Sequence, residues 1–129
     1  MCIFCEIING NIPSKKVYED DTTLAILDIS QTTYGHTLVL PKKHYENILE
    51  MPKDEFQDLT GKAQDIAKQV VNNLNAKGFN LLVNTNEVAG QTVMHAHIHI
   101  IPRYDISDSL NIIFNQNEYD LDEVLNKIK

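Results

Sequence analysis

The chain has 129 residues, 43% of them hydrophobic and 22% charged, with a formal net charge of −7. That length and balance describe one globular domain with an apolar core and exclude a disordered chain. The acidic surface argues against long nucleic acid as a partner, and no apolar run is long enough to cross a bilayer, so neither nucleic acid nor membrane is expected.

The opening Met1-Cys2-Ile3-Phe4-Cys5-Glu6 lacks the basic region and long apolar stretch of a secretory leader, which makes the cytosol the expected setting. Ile3, Phe4, Ile7 and Ile8 fall at helical spacing and predict a short helix ending at Gly10. Val17 to Glu19 and Thr23 to Asp28 read as a hairpin across the acidic turn Asp20-Asp21. His36 to Leu40 reads as a third strand, opened by Gly35 and closed by Pro41. From about Pro52, Phe56, Leu59, Ala63, Ile66, Ala67, Val70 and Leu74 form one apolar stripe, a long helix with Gly78 placed to end it. Asn80 to Asn84 and Val93 to Ile101 read as the fourth and fifth strands, the latter stopped by Pro102. Leu121, Val124, Leu125 and Ile128 share one face of a short C-terminal helix. The expectation is a single α+β domain over 1–129: a five-stranded antiparallel sheet, one long helix and short terminal helices, with helices mainly on one face. Residues 1–10 form an N-terminal segment and 104–129 a C-terminal tail.

Chemistry concentrates in Met94-His95-Ala96-His97-Ile98-His99-Ile100-Ile101. Strand alternation puts His95, His97 and His99 on one face and Met94, Ala96, Ile98 and Ile100 on the other. Three adjacent imidazoles are poor core filler and would repel one another if protonated. A single metal ion does not suit all three, because Cα atoms four residues apart in a strand are ~13 Å from each other. One structural and two chemical members fit better. Imidazole is both a nucleophile near neutral pH and a fair leaving group, which suits phosphoryl or nucleotidyl transfer through a covalent intermediate. Asn84, Gln91 and Thr92 precede the strand as neutral donors for phosphate oxygens, and Ala89-Gly90 lets backbone amides approach.

With these residues in place, the sequence resembles the histidine-triad (HIT) family, in its bacterial Hint-like branch. The signature His-x-His-x-His followed by two apolar residues stands at His95 to Ile101, led by Ala89-Gly90-Gln91-Thr92-Val93 and followed by Pro102-Arg103. Ile3-Phe4 through Ile12-Pro13, Tyr18 to Asp21, Asp28-Ile29-Ser30, His36 and Pro41-Lys42-Lys43-His44 match as well. The resemblance implies that His97 attacks the α-phosphorus of a purine nucleotide, its other ring nitrogen donating to the carbonyl of His95, while His99 binds the phosphate. Thr92 would assist near the leaving group. Asn84 and Gln91 would contact phosphate, and Asp28 the ribose hydroxyls. Phe4, Ile12, Ile26 and Ile29 would wall the purine, and His36 would stand behind the triad. A homodimer with sheets joined across a two-fold axis is also implied.

Cys2 and Cys5 have the spacing of one corner of a tetrahedral zinc site. The resemblance supplies His44 and His95 as the other two ligands. Four protein ligands make a closed, structural zinc, so no catalytic cofactor is expected. The activity implied is cleavage of a purine nucleoside monophosphate from an amine or a phosphate. The alternatives are a diadenosine polyphosphate hydrolase, a zinc hydrolase using metal-bound water, and a non-enzymatic purine-nucleotide-binding regulatory protein. The stretch from Asp105 to Asn117 matches no motif.

Overall fold

A computed structural model describes all residues, 1–129. The elements in chain order are α1 (Ile3–Ile8), β1 (Lys16–Glu19), β2 (Thr23–Leu27), β3 (Thr37–Pro41), α2 (Lys53–Leu74), β4 (Gly78–Leu82), β5 (Ile98–Arg103) and α3 (Leu121–Ile128). The strands make one antiparallel sheet in the order β1-β2-β3-β5-β4, as expected for this α+β class. No helix is long and apolar enough to cross a membrane.

Local chemistry explains the turns. Asp20 closes the β1–β2 hairpin by accepting from the backbone N–H groups of Thr22 and Thr23 at 2.9 and 2.8 Å, the short-range bonding that makes Asp a turn residue. The turn is tied to α2 by Lys62, which bridges Asp20 and Asp58 at 2.8 Å each. Ahead of β3, Gly35 takes φ +94°, which an L side chain rarely adopts.

The sheet has a core on each face. Leu59, Ala63, Ile66, Ala67 and Val70 of α2 pack on Ala25, Val39, Ile98 and Ile100. On the opposite face, Phe4 and Ile7 of α1 pack on Leu24, Ile26, Leu38 and Leu40. The helices are therefore not confined to one face: α1 covers the side that α2 leaves open. Its length of six residues is too short for a helix to hold by itself, so burial of Phe4 and Ile7 fixes it.

Several boundaries differ from the sequence reading, most by one or two residues: the fourth strand runs Gly78–Leu82 and not Asn80 to Asn84, and the third Thr37–Pro41 and not His36 to Leu40. The long helix ends at Asn75 rather than Gly78; Asn75 adopts the left-handed conformation at φ 56°, which short polar side chains tolerate, and Gly78 opens β4 instead. The fifth strand starts at Ile98, not Val93. It continues through Pro102, which pairs with Phe79. The Pro102 carbonyl accepts from the Thr33 hydroxyl at 2.6 Å, so its nitrogen also faces that loop. The missing N–H therefore takes no bond from β4. Met94, placed with the core by alternation, is exposed because it lies ahead of the strand. Past β5, Arg103 holds the unassigned stretch by bonding Asp108 at 2.7 Å and the Leu110 carbonyl at 3.0 Å. The apolar residues of α3 remain exposed.

Candidate active site and metal centre

The histidines meet on the α1 side of the sheet, where β5 emerges beside β3. His97 is 7% exposed. Its Nδ1 lies 2.7 Å from the His95 carbonyl. A carbonyl only accepts, so Nδ1 carries the hydrogen and Nε2 keeps its lone pair. Burial pushes the His97 pKa down, against the opposing pull of the His95 carbonyl, and the ring is neutral at pH 7. The Phe4 ring stands edge-on to it at 5.1 Å.

His99 follows on the same face, with ring centroids 4.9 Å apart. Its Nδ1 is 2.9 Å from Nε2 of His36. The far nitrogen of His36 accepts from the Thr32 backbone N–H at 3.3 Å. Burial pushes the His36 pKa down as well. A neutral His36 with Nδ1 already accepting carries its hydrogen on Nε2 and donates it to His99. That leaves the His99 hydrogen on Nε2, a donor. Burial, aided by His97 and His36, takes the His99 pKa from 6.5 to about 4. Asp28 stands behind, 3.7 Å from His36 Nε2, with its other oxygen accepting from Ser30 N–H at 2.8 Å. Asp28, His36 and His99 could also face one cation, but the His36–His99 hydrogen bond already engages both nitrogens.

The remaining positions separate. Phe4 and Ile26 are buried and Ile12 half-buried in the α1-side core, whereas Ile29 is 99% exposed on the following loop. Asn84 donates to the Gly90 carbonyl at 3.3 Å. Gln91 is buried and fully used: it donates to the carbonyls of Glu46 and Val93 at 2.6 and 3.0 Å and accepts from Asn86 N–H at 2.8 Å. No hydrogen is left for a phosphate, so Gln91 acts as a strut for the loop. Thr92 is exposed on a hollow of about 500 Å³ that it shares with Ile3, Glu46 and Met94.

His95 turns away from its neighbours. Its Nδ1 lies 3.4 Å from Cys2 Sγ, 3.6 Å from Cys5 Sγ and 3.2 Å from His44 Nδ1, and Cys5 Sγ lies 3.3 Å from His44 Nδ1. Nitrogen and sulfur ligands of a tetrahedral zinc sit about 3.3–3.8 Å apart, so the four atoms fit that ion. The other ring nitrogen of His95 donates to the Pro41 carbonyl at 2.7 Å, which leaves Nδ1 unprotonated and free to ligate. The triad thus divides into one member for the Cys/His cluster and two for the open face. The sequence carried no sign of the Pro41 carbonyl or of the dual contact of Phe4 with His95 and His97, because these are long-range packing relations, nor of the Thr32 amide, which depends on the local turn ahead of His36.

Several known proteins are similar to this chain. An uncharacterized HIT-like protein of Methanocaldococcus jannaschii is 50% identical over 129 residues, covering 100% of this chain and 99% of that protein. Protein hit of Bacillus subtilis is 46% identical, covering 92% and 82%. Adenylylsulfatase HINT3 of Arabidopsis thaliana is 44% identical, covering 79% of this chain and 52% of that protein. Among solved structures, a HIT family protein from Bacillus anthracis superposes with a TM-score of 0.91 at 44% identity, covering 98% and 92%. A Zn-bound histidine triad family protein from Mycobacterium smegmatis gives 0.80 at 37%, covering 84% and 79%. The HIT domain matches residues 9–106, which enclose the whole imidazole row, and with that match the chain belongs to the HIT family.

Proposed function

We propose that the protein cleaves a purine nucleoside monophosphate from an amine or a second phosphate, with His97 as the nucleophile. The observation that carries this reading is the His97 tautomer: Nδ1–H is held by the His95 carbonyl, which leaves the Nε2 lone pair for attack. The His99 Nε2–H donates to a phosphate oxygen as charge builds there. Attack forms the Nε2–phosphorus bond and breaks the bond to the leaving group, whose new lone pair takes a proton. Thr92 is the residue that the family resemblance assigns to the leaving group. The ring then carries positive charge, eased by its bond to the His95 carbonyl, and leaves readily when water attacks the phosphorus. Asp28 serves the ribose hydroxyls, and Phe4, Ile12 and Ile26 the purine. The name of the Arabidopsis relative, adenylylsulfatase, supports a nucleotidyl group as the unit transferred. The titles of related structures, which include a histidine triad nucleotide-binding protein from Candida albicans, support a nucleotide ligand.

Cys2, Cys5, His44 and His95 would hold zinc, and the Zn-bound Mycobacterium smegmatis relative supports that reading. When bound, the ion would serve as a structural cross-link between the N-terminal segment and the sheet.

Single-turnover reactions with an adenosine phosphoramidate and with a diadenosine polyphosphate test the reading. Release of the nucleoside monophosphate from either supports it, and the faster of the two names the leaving group. Absence of cleavage with both contradicts it.

A further inference from the structure

We propose that the Cys2–Cys5–His44–His95 centre positions the nucleophile, through the His95 carbonyl and the Phe4 ring, as well as fastening the N-terminal segment. The inference rests on the reading of His97 as nucleophile. His95 is fully buried and bonded in three directions: Nδ1 faces the two thiols and His44, Nε2–H donates to Pro41, and the carbonyl accepts the His97 Nδ1–H. The backbone that carries this carbonyl lies outside the β5 ladder, which starts at Ile98. Between His95 and His97 its backbone bond is Ala96 N–H to the Tyr45 carbonyl at 2.7 Å. That N–H shares its peptide plane with the His95 carbonyl, and Tyr45 directly follows His44, so the carbonyl is tied to the centre both through the His95 ring and through the His44 segment.

A second path runs through α1. Phe4 lies between the two cysteines in sequence, and its ring meets His95 at 5.9 Å and His97 at 5.1 Å, both nearly perpendicular. A six-residue helix does not hold its own shape in water. The ring that confines His97 thus rides on a segment held by the burial of Phe4 and Ile7 together with the same centre that fixes the His95 carbonyl. If the centre opens, His97 loses both its hydrogen-bond acceptor and its wall. Its proton is then free to move to Nε2, the attacking atom.

The test compares the full chain loaded with zinc, stripped by a chelator, and reloaded. Two readings are taken: the ring-nitrogen NMR signals of His97, which report its tautomer, and phosphorylation of His97 by inorganic phosphoramidate. That reagent has no base or ribose, so nucleotide binding does not enter. Its P–N bond breaks, a bond from phosphorus to Nε2 forms, and the nitrogen departs as ammonia with its own hydrogens. The expected result is an Nδ1–H tautomer with zinc, and a mixed tautomer with labelling slowed about tenfold or more without it, both reversed on reloading. A stripped protein that keeps the tautomer and the rate overturns the proposal. If the loaded protein is never labelled at position 97, the nucleophile reading has failed, and the tautomer signal still decides the coupling. If stripping unfolds the sheet by circular dichroism, zinc-loaded Phe4→Leu, with all four ligands intact, decides instead. Severalfold slower labelling supports the proposal and an unchanged rate overturns it.

Discussion

At the scale of single residues, reactivity turns on which nitrogen of each imidazole holds a hydrogen. His97→Ala removes the nucleophile and leaves the surrounding donors, so turnover is expected to fall by about three orders of magnitude or more while nucleotide binding by calorimetry persists. His36→Ala leaves His99 Nδ1 without its donor at 2.9 Å. The expected effect is a fall in kcat of about tenfold or more with a much smaller change in KM. Acid sensitivity follows from the same burial. The folded-state pKa of His99, about 4, lies below its ordinary 6.5, and His36 is shifted the same way. The unfolded chain therefore takes up protons first as the pH falls. The stability contribution is complete above about pH 6.5 and is lost as pH drops toward 4. Urea midpoints at pH 7.5, 6 and 5 should decline, and His99→Gln should flatten the decline. The triad and the Cys-x-x-Cys pair were legible in the sequence because their types and spacing are unusual. The burial of Gln91 was not, since it depends on loops that meet only in the fold, nor was the pairing of His36 with Thr32, which depends on the conformation of one turn that no residue type announces.

At the scale of elements, periodicity located the long helix and the hairpin, where one apolar stripe or one acidic turn decides the structure. It failed where side chains bond locally to the backbone. Met94 to His97 alternate like a strand, yet Ala96 bonds Tyr45 and the His97 ring folds back on the His95 carbonyl, so the ladder begins only at Ile98. The helix ends three residues ahead of Gly78 because Asn75 also tolerates the left-handed position, which spacing alone does not distinguish from Gly. Asn75→Ala, at φ 56°, should therefore cost about 1 kcal/mol in chemical denaturation, whereas Asn75→Gly should be neutral or stabilising. Gly35→Ala is more severe. Its φ of +94° is strained for any side chain, and its Cβ would clash with Leu74. A loss of about 2 kcal/mol or more is expected.

At the scale of the whole molecule, the sheet carries helices on both faces and gathers its reactive groups beside α1. The edge strand β4 exposes Phe79, Leu81 and Leu82, and α3 exposes Leu121, Val124, Leu125 and Ile128. The family resemblance implies a homodimer: light scattering is expected to give twice the chain mass, and the mass of one chain would contradict it. The fold class was legible because element order and patterning settle it; the tail from Asp105 was not, because its anchor, Arg103, acts through contacts that no motif records. Everything functional in this account depends on a covalent bond at one atom. Mass spectrometry of protein quenched within one turnover of an adenosine phosphoramidate tests it most directly. A nucleoside monophosphate adduct is expected on the peptide bearing His97 and absent from His97→Ala. Cleavage of the substrate with no adduct there at any quench time, and undiminished turnover in that variant, would contradict it.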